Sequence, residues 1–158
     1  MDGAMRCVRM ESPGVWRDSR RRSAPDAGLP RMLRMSRPEF SVSVATRPLP
    51  EQSDPKKGEH AFAYTVTITN TGDMKAQLIA RHWIITDANG QVDEVRGLAV
   101  VGHQPLLEPG ERFEYTSWTR IATPQGTMRG TFFCMTEEAQ PFDAPVPEFM
   151  LTRPEQLH

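Results

Sequence analysis

RHWIITDANGQVDEVRGLAVVGHQPLLEPGERFEYTSW, residues 81–118, decides the fold of this chain. Its apolar start ends at Asp87-Ala-Asn89-Gly90, and an Asn-Gly pair after an apolar run is the favoured signal for a tight strand reversal. A short polar strand from Gln91 to Arg96 follows, then the glycine-flanked loop Gly97-Leu-Ala-Val-Val-Gly102. Pro109-Gly110 is a second turn signal, and it leads into the alternating Phe113, Tyr115 and Ser117.

Working outward, Leu78 to Thr86 reads as a strand with Ile79, Arg81, Trp83 and Ile85 on one side and Leu78, Ala80, His82 and Ile84 on the other. Both sides are largely apolar, which suits a central strand with Trp83 as a core anchor whose N–H needs a partner. Phe62, Tyr64, Val66 and Ile68 alternate with Ala63, Thr65, Thr67 and Thr69, the pattern of a strand with one face on a core. Phe40, Val42 and Val44 begin an earlier strand, broken between Pro48 and Gly58. Met128 to Met135 and Val146 to Leu151 supply the last two, separated by a stretch from Pro141 to Pro147 that suits a sheet edge. About seven strands with frequent turn signals and no convincing helix predict an all-β protein, an antiparallel β-sandwich. A small barrel fits the same pattern.

With 158 residues, one domain is expected. Charge divides the chain: residues 1–35 hold eight arginines against four acidic residues, whereas 36–158 hold 11 basic and 16 acidic within the overall net charge of -1. Residues 1–35 keep no period of 2 or 3.6 and are read as a disordered basic tail, or as an extension upstream of a true start at Met32 or Met35. The acidic body, 36–158, argues against nucleic acid as the main partner, because duplex binding needs clustered cations. Cys7 and Cys134 are too few for a disulfide scaffold and read as free thiols of a cytoplasmic protein. No apolar run is long enough to span a bilayer.

The segments Tyr64–Asn70, Leu78–Trp83, Val95–Leu107, Pro109-Gly110, Phe113–Ser117 and Thr123–Gly130, in this order, resemble the ApaG family (DUF525 domain) over about residues 36–158. The resemblance implies an immunoglobulin-like, fibronectin type III-like sandwich. It also implies a link to cobalt and magnesium resistance in bacteria, a role as an interaction module in eukaryotic relatives, and no established catalytic activity. Members carry a GxGxxG motif before the Pro-Gly turn, suggested to bind a pyrophosphate-like group. Here Ala99 replaces the middle glycine.

The binding-loop candidates are Arg96, Gly97, Ala99, Val100, Val101, Gly102 and His103. They form either the interface for an unknown protein partner or an anion site for a phosphate-containing small ligand such as pyrophosphate, a nucleotide polyphosphate or a metal-phosphate complex. In dinucleotide folds the glycine motif opens a helix whose N-terminus attracts the anion, and no helix follows here, so a crossover between sheets is the competing reading. Asp93, Glu94, His103 and His82 are the residue types a metal would need, but their spacing matches no established metal motif, so no metal site and no cofactor are assigned. Cys134, between Phe133 and Met135, reads as a buried hydrophobe, and Ser117 and Thr123 lack an evident base. The expected protein is therefore a non-enzymatic interaction module, with a homodimer left open.

Overall fold

Strand β3, His60–Asn70, shows why a sandwich forms. Phe62, Tyr64, Val66 and Ile68 are all 0 % exposed, while Thr65, Thr67 and Thr69 stay partly solvated. The computed structural model describes residues 36–153, together with the backbone of 5–11. The remaining strands are β1 (Met5–Glu11), β2 (Phe40–Pro48), β4 (Ala76–Asp87), β5 (Val92–Leu98), β6 (Leu106–Leu107), β7 (Arg112–Ile121), β8 (Gly126–Thr136) and β9 (Pro141–Leu151). One sheet runs β1-β7-β3-β2, the other β5-β4-β8-β9 with β6 also on β4, and every pairing is antiparallel. The two-sheet all-β sandwich is thus the expected one, with β1 and the two-residue β6 added to the seven strands foreseen. Of the tail expectation for residues 1–35, Met5–Glu11 instead runs along the outer edge of β7. The rest of that expectation lies outside the described residues.

The two sheets meet over an aromatic core. Trp83 is fully buried against the rings of Tyr64, Phe132 and Phe149, with centroids 5.6, 5.8 and 6.1 Å away. Its indole lies over Gly130, where an added Cβ would come within 2.7 Å of the ring and press on the His82 carbonyl oxygen. The partner expected for the indole N–H is not found among the described residues. A smaller cluster of Leu49, Ala61, Ala63 and Trp118 covers the outer face of the first sheet, under the two short 3-10 turns Pro50–Gln52 and Pro55–Lys57. Strands β2 and β9 adjoin at one side of the sandwich, where Thr46 Oγ1 donates to the Met150 carbonyl at 3.3 Å and Phe40 meets Phe142 edge-on at 5.4 Å.

The side-chain alternation predicted for β4 fails at a bulge, and β9 carries a second bulge. In β4 both Leu78 and Trp83 are buried, although strict alternation puts them on opposite faces. An extra residue, Ile79, opposite the Cys134–Phe133 step resets the phase. In β9 the buried Ala144 and Val146 give way to Phe149 and Leu151, because Pro147-Glu148 is inserted opposite the Met128–Gly130 step. The stretch from Pro141 to Pro147, expected to separate two strands, is itself part of β9. Its prolines are tolerated because β9 is an edge.

Candidate functional site

The Asp87–Gly90 turn forms as expected, and its Asp87 carboxylate accepts the amides of Asn89 and Gln91 at 2.8 and 3.0 Å. It sends β5 back along β4, with Ala80 opposite Leu98 and His82 opposite Arg96. Beyond Leu98 the loop stays on the side of the second sheet, since Leu106 and Leu107 pair with β4 again. The crossing to the other sheet comes only at Pro109-Gly110, so Gly97–Gly102 is not the crossover.

The loop residues do not form one surface. Val100 is fully buried in the core, and Val100 and His103 exchange two backbone hydrogen bonds of 2.8 and 2.9 Å around a tight turn. The His103 ring packs beside Phe113, with centroids 6.1 Å apart. The Ala99 amide donates to the Ile79 carbonyl at 2.8 Å. Three loop amides are therefore already committed within the protein, which leaves little of a backbone cradle for a pyrophosphate.

Ala99, Val101 and Gly102 all have positive φ, at 67°, 54° and 79°. Only glycine takes that conformation freely, so the middle-glycine position of the motif holds a strained alanine. Ala99→Gly is expected to raise stability by about 0.5–1 kcal/mol, relief of left-handed strain less the entropy that glycine adds to the unfolded chain. Urea unfolding of the two proteins measures it, and a loss of stability would show that Ala99 makes packing contacts worth more than its strain.

Arg96 and Gly97 belong to an open groove of about 580 Å³ on the outer face of the second sheet, bordered also by Ala80, Leu98, Phe133 and Asp143. Leu98, Ala80, Phe133 and Asp143 are successive register partners across β5, β4, β8 and β9. Adjacent strands lie about 4.8 Å apart, so Leu98 and Phe133 stand about 10 Å apart with only the Ala80 methyl between them. That slot is about one side chain wide. Leu98 is 73 % exposed and Phe133 39 % exposed.

The rim of the groove is polar. His82 Nε2 lies 3.1 Å from Glu94 Oε1, and Arg96 Nη2 donates to the same oxygen at 3.3 Å. The His82 and Arg96 hydrogen bonds hold the Glu94 carboxyl below its ordinary range. Of the four residues considered for metal, the fold brings together only His82 and Glu94, and the Arg96 cation on that carboxylate opposes a second positive charge. Asp93, paired with Ile85, and His103 lie apart from them. Among the described residues no three of His, Cys, Asp and Glu converge. Burial pushes the Cys134 thiol up to about 12, which suits the buried hydrophobe its sequence context suggested. Thr123 is used in a turn, accepting the Ala88 amide at 2.9 Å and donating to the Gln125 carbonyl at 2.7 Å.

Residues 50–136 match the family model of the ApaG domain, more than half of the chain. The chain belongs to the ApaG family. Protein ApaG of Ralstonia nicotianae is 61 % identical over 124 residues, which is 78 % of this chain and all of that protein. Protein ApaG of Bordetella pertussis is 58 % identical over 120 residues, covering 76 % of this chain and 92 % of that one. A crystal structure from Bordetella pertussis that carries the name ApaA superposes with a TM-score of 0.74 at 55 % identity, covering 78 % of this chain and all of the other. In this ApaG chain the groove residues Ala80, Phe133 and Asp143 were not among the sequence candidates. They come from three strands, and only the register puts them in one row.

Proposed function

We propose that this ApaG domain is a non-enzymatic docking module that takes one bulky apolar side chain of a partner protein into the groove above Ala80. The observation that carries the reading is the exposed Leu98–Ala80–Phe133 row. The solvent face of an antiparallel sheet is ordinarily polar, and large apolar residues gathered there mark contact surfaces. Arg96, Glu94 and Asp143, with the His82 imidazole beside them, supply a polar rim, the usual surround of an apolar anchor site.

The chemistry available fits binding better than turnover. Glu94 is tied to His82 and Arg96, Thr123 to its own turn, and the Cys134 thiol is buried. The partner chemistry follows from the slot: an extended segment with a single aromatic or branched aliphatic anchor.

Peptides selected by display against the intact chain test this. The expected result is enrichment of one bulky apolar residue per peptide, with affinity lowered by about tenfold or more in Phe133→Ser and Leu98→Asp, since burying such a side chain is worth roughly 1.5–3 kcal/mol. Both variants change exposed positions and should keep the melting temperature. Selected peptides that bind both variants as tightly as the parent would remove the groove from the reading.

A further inference from the structure

Strand β7 pairs with β3 over ten successive residues without a register shift. The Asn70 amide donates to the Glu111 carbonyl at 2.9 Å and so fixes the phase of that ladder. The backbone N–H and C=O groups of Glu114, Thr116 and Trp118 therefore point away from β3. The other outer edges of the sandwich carry devices against further pairing. β9 has Pro141, Pro145 and Pro147 with a bulge, β2 adjoins β9, and β5 places Asp93, Glu94 and Arg96 within seven residues. The middle of β7, Tyr115-Thr-Ser-Trp-Thr119, has none: it is an uncharged run rich in β-forming residues, without proline, glycine or bulge. An edge of this kind is a template for an added strand.

In this chain the template is filled from within. Met5–Glu11 lies antiparallel along β7, with Arg6 opposite Trp118, Arg9 opposite Thr116 and Glu11 opposite Glu114. Its hold is limited to one ladder: among the described residues β1 pairs with β7 alone, and the register slips at Val8, between Cys7 and Arg9. The sandwich does not need it. A match of 124 residues that takes in residues 50–136 and accounts for the whole of the Ralstonia relative starts after Glu11, so that protein has no counterpart of β1.

The register also states what the edge accepts. Tyr115, Ser117 and Thr119 are buried and face the space between the sheets. Tyr115 and Ser117 border a second hollow, of about 250 Å³, between β7 and the β4–β5 hairpin, against Arg81, Leu98 and Val101. Positions opposite the three buried residues, held in β1 by Met10, Cys7 and Met5, suit apolar residues. Positions opposite Thr116 and Trp118, held by Arg9 and Arg6, lie on the outer face and suit charged ones.

We propose that the outer edge of β7 is a strand-accepting interface, that Met5–Glu11 is its tethered occupant, and that release of this strand lets an extended partner segment of the same pattern add there. The tether sets the competition. A segment joined to its own site acts at an effective concentration on the order of millimolar, so a strand supplied in trans binds the full chain weakly until β1 lets go. The edge belongs to the other sheet from the docking groove and stands independently of it.

The test measures binding of a fluorescent Met5–Glu11 peptide, kept reduced, to the full chain, to the full chain with Arg6→Pro and Arg9→Pro, and to a chain beginning at Met35. The two prolines remove the amides that face Trp118 and Thr116. Expected is saturable binding to the proline variant and to the shortened chain, and binding weaker by about tenfold or more to the full chain. Hydrogen exchange followed by NMR gives a second readout. The amides of Glu114, Thr116 and Trp118 should be protected in the full chain, exchange fast in the other two proteins, and regain protection when peptide is added. A peptide carrying both prolines should not bind. Phe133→Ser added to the proline variant should leave the affinity unchanged, which separates this edge from the groove. No saturable binding to either altered protein, equal affinity for all three, or unchanged exchange at the three amides would each overturn the proposal. Protection that persists in the shortened chain and falls on dilution would put a second copy on the edge and overturn its assignment to Met5–Glu11.

Discussion

Trp83→Ala is expected to destabilise the domain by about 3–5 kcal/mol, the range for deleting a buried tryptophan. Trp83 is fully buried and joins β4 to the opposite sheet through Tyr64 and to its own through Phe132 and Phe149. Removing the indole leaves a cavity that neighbours cannot readily fill, because the ring lies over Gly130, which has no side chain to move in. Domains of this size have about 5–15 kcal/mol in total, so the loss takes a large part of it and lowers the melting temperature by roughly 10–20 °C. Trp118→Ala is the internal control. Trp118 sits in the small outer cluster and stacks under Arg120 at 5.3 Å, so its loss should cost clearly less. Denaturant unfolding of both variants decides, and equal losses would mean that the aromatic cluster is not the centre of the core.

The second large effect is expected at Asn70, 1 % exposed at the end of β3. Its Nδ2 donates to the carbonyls of Met74 and Leu107, both at 2.9 Å, and its Oδ1 accepts the Gly72 amide at 3.0 Å. One side chain thus ties the turn after β3 to β6. Asn70→Ala removes the side-chain donor from two carbonyls and one of the two acceptors of the Gly72 amide, which keeps the Glu39 carbonyl, and should cost about 2–4 kcal/mol. Asn70→Asp should cost more at neutral pH, because a carboxylate would face two carbonyl oxygens and has no proton to give. Protonation restores one donor, so the folded-state pKa of this aspartate would lie above its unfolded value of about 3.9. The sign follows: the variant is least impaired below about pH 4 and loses stability as pH rises through the raised folded value. Melting curves from acidic to neutral pH measure this. An Asp variant as stable as the Ala variant at pH 7 would mean that the carboxylate turns away from the two carbonyls.

The strands of the core were legible because their pattern is local. Phe62 to Ile68 names its own buried face, and Asn89-Gly90 names its own turn. What depends on partners was not. The faces of β4 cannot be read past Ile79, since the extra residue is defined only against Cys134 and Phe133 across the ladder. A two-residue strand such as β6 carries no periodicity to detect. In the candidate site, Arg96 and Gly97, which the sequence offered as part of a binding loop, line the groove. Ala80, Phe133 and Asp143 look individually unremarkable and gain meaning only as register neighbours. Arg81 and Tyr115 share a cavity although they lie on strands of different sheets, a proximity that no spacing in the sequence encodes. Val100, which the sequence offered as a loop contact, is core because the turn at Val101-Gly102 folds it inward.

The register of β4 around its extra residue also fixes an inheritance rule for this domain. Because Ile79 resets the alternation, Ala80 and His82 face the outer groove while Arg81 turns toward the space between the sheets. A deletion of that one position would join Leu78 directly to Ala80 in a regular ladder, with Leu78 still on Cys134 and Ala80 still on Phe133, so Ala80 and His82 stay outward and Arg81 inward. The two hollows, on opposite faces of one strand, therefore depend on the register of β4 against β8 and not on the bulge itself. Substitutions can tune either one alone, whereas a one-residue slip of that register acts on both at once.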